Sequence, residues 1–169
     1  MVARGLPFSP ALAALLLAAA GLIGAWIFQY GLGYQPCKLC MLQRWPYYIG
    51  LPLGLAGVVL LALGQRGAGR AMLVLFALTF AVGAGIGVYH AGVEWKFWQG
   101  PNDCSGALDA MPAAVGDLRK SLATTKVIRC DEAPLRILGL SFAGWNVVLS
   151  AVVVGLLGAA MWRPARATA

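Results

Sequence analysis

Gln35-Pro36-Cys37-Lys38-Leu39-Cys40-Met41-Leu42-Gln43-Arg44-Trp45-Pro46-Tyr47-Tyr48 lies between two long apolar runs. Its two cysteines stand three apart, with a cation four residues after the second. Two thiols at this spacing can close a small ring as a disulfide and reopen as a dithiol. In such motifs one sulfur is often acidified, and the thiolate is the nucleophile. On a helix Cys37, Cys40 and Arg44 fall at i, i+3 and i+7, on one face. Arg44 keeps its proton, so it can hold a thiolate or an anionic electron acceptor. Arg44 and a helix N-terminus together predict a depressed Cys40 pKa. A plainer reading is two small apolar thiols beside a snorkelling interfacial arginine.

Outward from this stretch the chain is too apolar for water. It is 60% hydrophobic and 11% charged, with a mean hydropathy of +0.77; soluble domains run about 45–50% apolar and about 25% charged. The fold class expected is an all-α membrane protein, a four-transmembrane-helix bundle in one integral membrane domain over residues 1–169. Spans are expected at about 11–30, 47–64, 71–91 and 144–162. The first apolar run continues through Trp26, Ile27 and Phe28, past the length of a signal-peptide core, and reads as a retained span. Pro46 suits a first helical turn, and Pro52 marks a kink. Gly50 with Gly54, and Gly83 with Gly87, give small-residue faces for close helix approach. Gln65–Arg70 reads as a short polar turn.

Two outer loops remain, at about 31–46 and 92–143. The second holds every acidic residue of the chain. Val115, Leu118 and Leu122 recur in it at helical spacing, which fits a short amphipathic helix on the membrane surface or a turn packed on its own loop. The net charge of +7 comes from basic residues scattered singly, with no basic helix or stripe, so nucleic acid is not an expected partner; the lipid bilayer is. Arg4, Arg66, Arg70, Arg163 and Arg166 crowd the termini and the short turn without acids. That density places those segments on the cytoplasmic side, although the raw count of Lys and Arg favours the other face. Both cysteine-bearing loops then share the disulfide-permissive side.

Cys104 and Cys130 are separated by 25 residues of polar loop. A bond between them is either a structural staple or a labile disulfide able to exchange with Cys37 and Cys40. Zinc sites draw on closely spaced ligand pairs; only one pair here is close, and no metal is expected. His90, the single histidine, ends the third span as an interfacial residue or as a functional group near Arg44.

In its ordered combination the chain resembles the disulfide bond formation protein B (DsbB) family of bacterial inner-membrane thiol:quinone oxidoreductases. The matching features are four spans, Pro36-Cys37-Lys38-Leu39-Cys40 with Gln43-Arg44 in the first outer loop, Cys104 and Cys130 in the second, and Ile137-Leu138-Gly139-Leu140 before the last span. The resemblance implies that a reduced periplasmic thioredoxin-fold partner similar to DsbA attacks a Cys104–Cys130 bond, with Cys104 forming the mixed disulfide. It implies that Cys37 exchanges with Cys130 and that Cys40 faces a membrane quinone, ubiquinone or menaquinone. Arg44 would help hold the quinone, and His90 matches a family histidine near that site. Lys38, where an apolar residue is common, and Gln43, where an acid can precede the arginine, depart from the pattern.

Independently of the family, a dithiol that closes releases two electrons and two protons, the amount that one quinone takes up. A related redox protein running toward reduction, like the vitamin K epoxide reductase group, would carry its C-x-x-C in a late span. A non-enzymatic four-span protein with stapled loops would keep its cysteines permanently oxidised.

Overall fold

The computed structural model describes residues 8–101 and 129–162. Cys104 and the Val115–Leu122 stretch lie outside the described residues. Among the described residues five helices carry the fold: α1 (Phe8–Trp26), α2 (Lys38–Leu42), α3 (Trp45–Ala62), α4 (Arg66–Glu94) and α5 (Phe142–Trp162). A wide π-type turn, Ile27–Gly31, extends α1. The segments Pro10–Gly31, Lys38–Ala62, Arg66–Glu94 and Phe142–Trp162 are long and apolar enough to cross a bilayer. The chain is therefore the four-span helical bundle that its composition required.

The long helices form a ring in which α1 packs on α3, α3 on α4, α4 on α5 and α5 back on α1. On α1 the inward stripe is Ala11, Ala14, Ala18 and Leu22, all buried, at the i, i+3, i+7 spacing of one helix face. Three alanines there let the backbone come close to its neighbours. Opposite them α4 supplies Phe76 and Phe80, whose rings meet edge to face, and Phe80 meets Tyr47 of α3 in the same way. Leu16, Ile23, Leu55, Val82 and Val152 point outward, as lipid-facing residues should.

The α3–α4 seam depends on missing side chains. A Cβ at Gly50 would stand 2.7 Å from Thr79 Oγ1 and 2.9 Å from Phe80, and one at Gly54 would stand 2.9 Å from Phe76. These are closer than real Cβ contacts, so the aromatic rings occupy the volume that the glycines vacate. Gly83 and Gly87 do the same toward Pro46 and Val147. Both small-residue faces expected from the sequence are used.

Helix ends differ from the expected spans in one informative place. The Gln65–Arg70 stretch is not a turn: Gly64 takes a positive φ of 81°, and α4 starts at Arg66 and runs for 29 residues to Glu94. Arginine is a good helix former, so nothing stops the helix at the edge of the apolar run. At about 1.5 Å per residue such a helix exceeds a hydrocarbon slab of about 30 Å, and its C-terminal turn reaches the level of the cysteines. Pro46 lies in the first turn of α3, and Pro52 lies inside that helix.

Before α5 the Ile137-Leu138-Gly139-Leu140 stretch forms a minimal antiparallel hairpin. β1 (Arg136–Ile137) pairs with β2 (Leu140–Ser141), and Leu138 and Gly139 both take positive φ, 53° and 83°. That is the backbone of a two-residue primed turn. The Trp145 indole N–H donates to the Ile137 carbonyl at 2.9 Å and ties the hairpin to α5.

We expect Gly50→Val to lower the unfolding midpoint in detergent, at a cost of about 1–3 kcal/mol from overpacking. Gly85→Ala, where a Cβ has nothing within 4 Å, should leave the midpoint unchanged.

Candidate functional site

Gln35 and Pro36 lead an extended segment into α2, whose first turn is built by the cysteines themselves. Cys37 is the N-cap, with φ −75° and ψ 173°, and its sulfur accepts the Cys40 N–H at 3.2 Å. An N-cap acceptor satisfies one of the orphan amides of a helix start. Cys37, not Cys40, therefore sits at the helix N-terminus. The i, i+3 spacing puts Cys40 Sγ 2.7 Å from Cys37 Sγ, not far beyond the roughly 2.05 Å of a disulfide.

Two sulfurs this close cannot both ionise freely, and the pair gives up its protons in two well-separated steps. The second proton is held hard. Cys37 is pushed up to about 12, first by its hydrogen bond with Cys40 and then by burial, while His90 pulls the other way.

Cys130 comes to the same place from the far loop. It is buried with Cys37, Leu39 and Val93, and Cys40 packs against this cluster. Its thiol is pushed up by burial, against a backbone hydrogen bond from Leu39, and it also hydrogen-bonds Cys37. Asp131 anchors this segment: Arg129 donates to it at 2.8 and 2.9 Å, and Lys96, just past α4, pairs with it as well. These two cations hold the Asp131 carboxyl well below the usual carboxylate range.

Behind the cysteines lies a polar chain inside an apolar bundle. His90 of α4 is 2% exposed, with Nε2 3.6 Å from Cys37 Sγ and 3.8 Å from Glu94 Oε1, one turn on. Gln43 Nε2 donates to His90 Nδ1 at 2.6 Å. Gln43 Oε1 accepts from Asn146 Nδ2 at 2.7 Å, and Tyr47 O–H donates to Asn146 Oδ1 at 2.6 Å. One row of hydrogen bonds thus runs from α4 through the α2–α3 junction to α5. Glu94 is buried, and its Oε2 has no partner among the described residues.

Arg44 takes a different direction from the one its spacing suggested. Its guanidinium donates to the Gln29 side chain and to the Ala25 carbonyl at 3.4 Å, on α1 and its terminal turn, rather than to the Cys40 thiol. It lines, with Cys40, Gln43, Tyr47 and Asn146, one part of a groove of about 540 Å³ whose remaining walls include Phe28, Tyr34, Phe142 and Leu149. The groove is overwhelmingly apolar, opens between α1, α3 and α5, and has the size of a small-molecule site. His90 is absent from its walls and stands at Cys37 instead.

Cys37, Cys40, Cys130, Arg44 and His90 are thus gathered at one end of the bundle. Cys37, Cys40 and His90 place three metal-capable atoms within 4.8 Å of one another. Glu94, Asn146 and Gln29 were not singled out from the sequence. Glu94 had a signal, an acid one helical turn after the only histidine. Asn146 had one too, as an amide inside an apolar run. Gln29 had the same one, as the amide near the end of the first apolar run, although only the packing of α1 brings it to Arg44.

The family model described as "Disulfide bond formation protein DsbB" matches residues 9–160. Disulfide bond formation protein B of Xanthomonas campestris pv. campestris (strain 8004) is 31% identical over 150 residues, covering 86% of this chain and 82% of the relative. The protein of the same name from Marinobacter nauticus is 30% identical over 148 residues, covering 83% of each. A protein described as uncharacterized, RP370 of Rickettsia prowazekii, is 23% identical over 141 residues, covering 83% of this chain and 79% of its own length. No solved structure matches.

Because Lys96, just past α4, holds the Cys130 segment through Asp131, Asp131→Asn should raise the maleimide labelling rate of Cys130 severalfold in the reduced protein. Asp131 binds its proton only below its ordinary value, so the tether is fully present above that value and is lost as pH falls through the depressed one. Protection in the parent protein should therefore persist at about pH 5. Labelling that is insensitive to the substitution would show that the ion pair does not hold this segment.

Proposed function

The chain belongs to the DsbB family of disulfide bond formation proteins, and from that premise we propose that it oxidises a periplasmic DsbA-like thioredoxin-fold protein at the expense of a membrane quinone. The single observation that carries this reading is the shared position of Cys40 and Arg44 on one apolar groove, with Cys130 against Cys37 on the other side of α2. The protein sits in the bacterial inner membrane as a multi-pass protein. Its termini are cytoplasmic and its cysteine loops periplasmic.

The exchange runs as follows. A thiolate of the reduced partner attacks Cys104 of the Cys104–Cys130 bond; a bond to Cys104 forms, and the electron pair leaves on Cys130. Cys130, already at Cys37, attacks it; a Cys37–Cys130 bond forms, the Cys37–Cys40 bond breaks, and Cys40 leaves as thiolate. No net oxidation occurs in either step, since each disulfide broken is replaced by one formed. Burial beside Val93 and Leu39 excludes water from the exchanging sulfurs.

The groove fits a quinone. Its walls are apolar and aromatic, its volume falls in the range of small-molecule sites, and its few polar groups converge where Cys40 lies. When bound there, a quinone supplies the capacity to accept two electrons and two protons. Arg44, held by Gln29 and the Ala25 carbonyl, presents a permanent positive charge at that end, which favours negative charge on a neighbouring ring oxygen or sulfur. Tyr47 contributes a ring to the wall while its hydroxyl is committed to Asn146.

In a detergent assay with reduced thioredoxin-fold partner and a soluble quinone, followed by quinone absorbance, the intact protein should turn over and Cys40→Ser should not. Arg44→Ala should raise the quinone KM about tenfold or more, the value of a hydrogen bond to a charged group. Undiminished consumption by Cys40→Ser, or none by the intact protein, would overturn the assignment.

A further inference from the structure

The polar row behind the cysteines fixes the state of the histidine. An amide nitrogen can only donate, so His90 Nδ1, 2.6 Å from Gln43 Nε2, must be the accepting nitrogen. The orientation of the Gln43 amide is set in turn by Asn146 Nδ2, which donates to its oxygen, and that of Asn146 by the Gly83 carbonyl, an acceptor only, 3.5 Å from Asn146 Nδ2, with the Tyr47 hydroxyl then donating to Asn146 Oδ1. A neutral His90 then carries its proton on Nε2, the nitrogen that faces Cys37 Sγ at 3.6 Å and Glu94 Oε1 at 3.8 Å.

We propose that Gln43, Asn146 and Tyr47 are positioning residues that lock His90 in the Nε2–H tautomer, so that Cys37 leaves a broken disulfide into two waiting donors. Those donors are the Cys40 N–H, at 3.2 Å, and the His90 Nε2–H. The proposal rests on the exchange reading above and deepens it. The step it assists is the resolution of the Cys37–Cys130 bond: an incoming thiolate bonds to the Cys130 sulfur, the Cys37–Cys130 bond breaks, and its electron pair goes to Cys37. Sulfur leaves faster when the charge it acquires is stabilised, and hydrogen bonds to the charged form do that.

Glu94 completes the device. While Cys37 is in a disulfide and a weak acceptor, the Nε2–H has the Glu94 carboxyl as an alternative partner, so the buried donor is never orphaned. The groups facing His90 are Cys37, Cys40 and Gln43 from the α2 side and Glu94 from its own helix; Cys130 packs against Cys37. The same tautomer withholds the lone pair that a metal would need from the nitrogen facing the two sulfurs.

The chain has one histidine, so the test needs no assignment. In full-length protein labelled with ¹⁵N-histidine and held in detergent, long-range ¹H–¹⁵N correlations at neutral pH should show a protonated Nε2 and a bare Nδ1. Gln43→Met and Asn146→Leu should give mixed tautomers, and Tyr47→Phe a smaller change in the same sense. In a background with Cys40, Cys104 and Cys130 replaced by serine, iodoacetamide should alkylate Cys37 about twofold more slowly at pH 7 once Gln43→Met is introduced, because a mixed population keeps only part of the Nε2–H donor. That difference should vanish at high pH, where the thiol is ionised regardless. A protonated Nδ1 in the parent protein, or a Cys37 pH profile unmoved by Gln43→Met, would overturn the relay. Neither readout involves quinone or a partner protein, so absent turnover in the preceding assay would count against the exchange reading alone.

Discussion

Cys37 and Cys40 hold their sulfurs 2.7 Å apart, at the rim of a medium that offers buried polar groups no water. A buried hydrogen-bonding group left without a partner costs about 1–3 kcal/mol. Each polar side chain at this end of the bundle is therefore spoken for by another. Cys37 caps α2, His90 leans on Gln43, Gln43 on Asn146, and Asn146 on Tyr47. Among the described residues the unbonded Oε2 of Glu94 is a conspicuous exception, and it lies one turn from the histidine that contacts the sulfur.

This arrangement divides the end of the bundle into two chemical sides. Toward α4 the sulfurs meet imidazole and carboxyl groups, suited to managing protons and charge on sulfur. Toward α1 and α5 they meet an apolar groove with one guanidinium. α2, only five residues long, separates the two and carries one cysteine to each. A longer, continuous helix in its place would keep the same i, i+3 spacing. It would lose the N-cap at Cys37, and with it the amide that its sulfur accepts.

The bundle pays for this precision with glycine. Gly50, Gly54, Gly83 and Gly87 let α3, α4 and α5 approach until aromatic rings and Pro46 fill the space of absent side chains. That closeness keeps Asn146 of α5 within reach of both Gln43 and Tyr47. Without lipid-excluding hydrophobic drive between helices, van der Waals fit of this kind is what sets helix spacing.

Sequence alone determined the class, the four apolar crossings, the cysteine spacing that makes a closable ring, and the small-residue faces, because composition and periodicity are local properties of a chain in lipid. It also marked Cys37, Cys40, Cys130 and Arg44, which the structure brings together at one end of the bundle. It misjudged the Gln65–Arg70 segment, where helix propensity overrode polarity, and it gave no sign that Gln29 would be the partner of Arg44. Glu94 and Asn146 stayed hidden because nothing in an i, i+4 acid or a lone amide says what faces it. Which nitrogen of His90 bears a proton, and which sulfur it addresses, only the tertiary structure decided: those depend on donors brought from three helices that the sequence places dozens of residues apart.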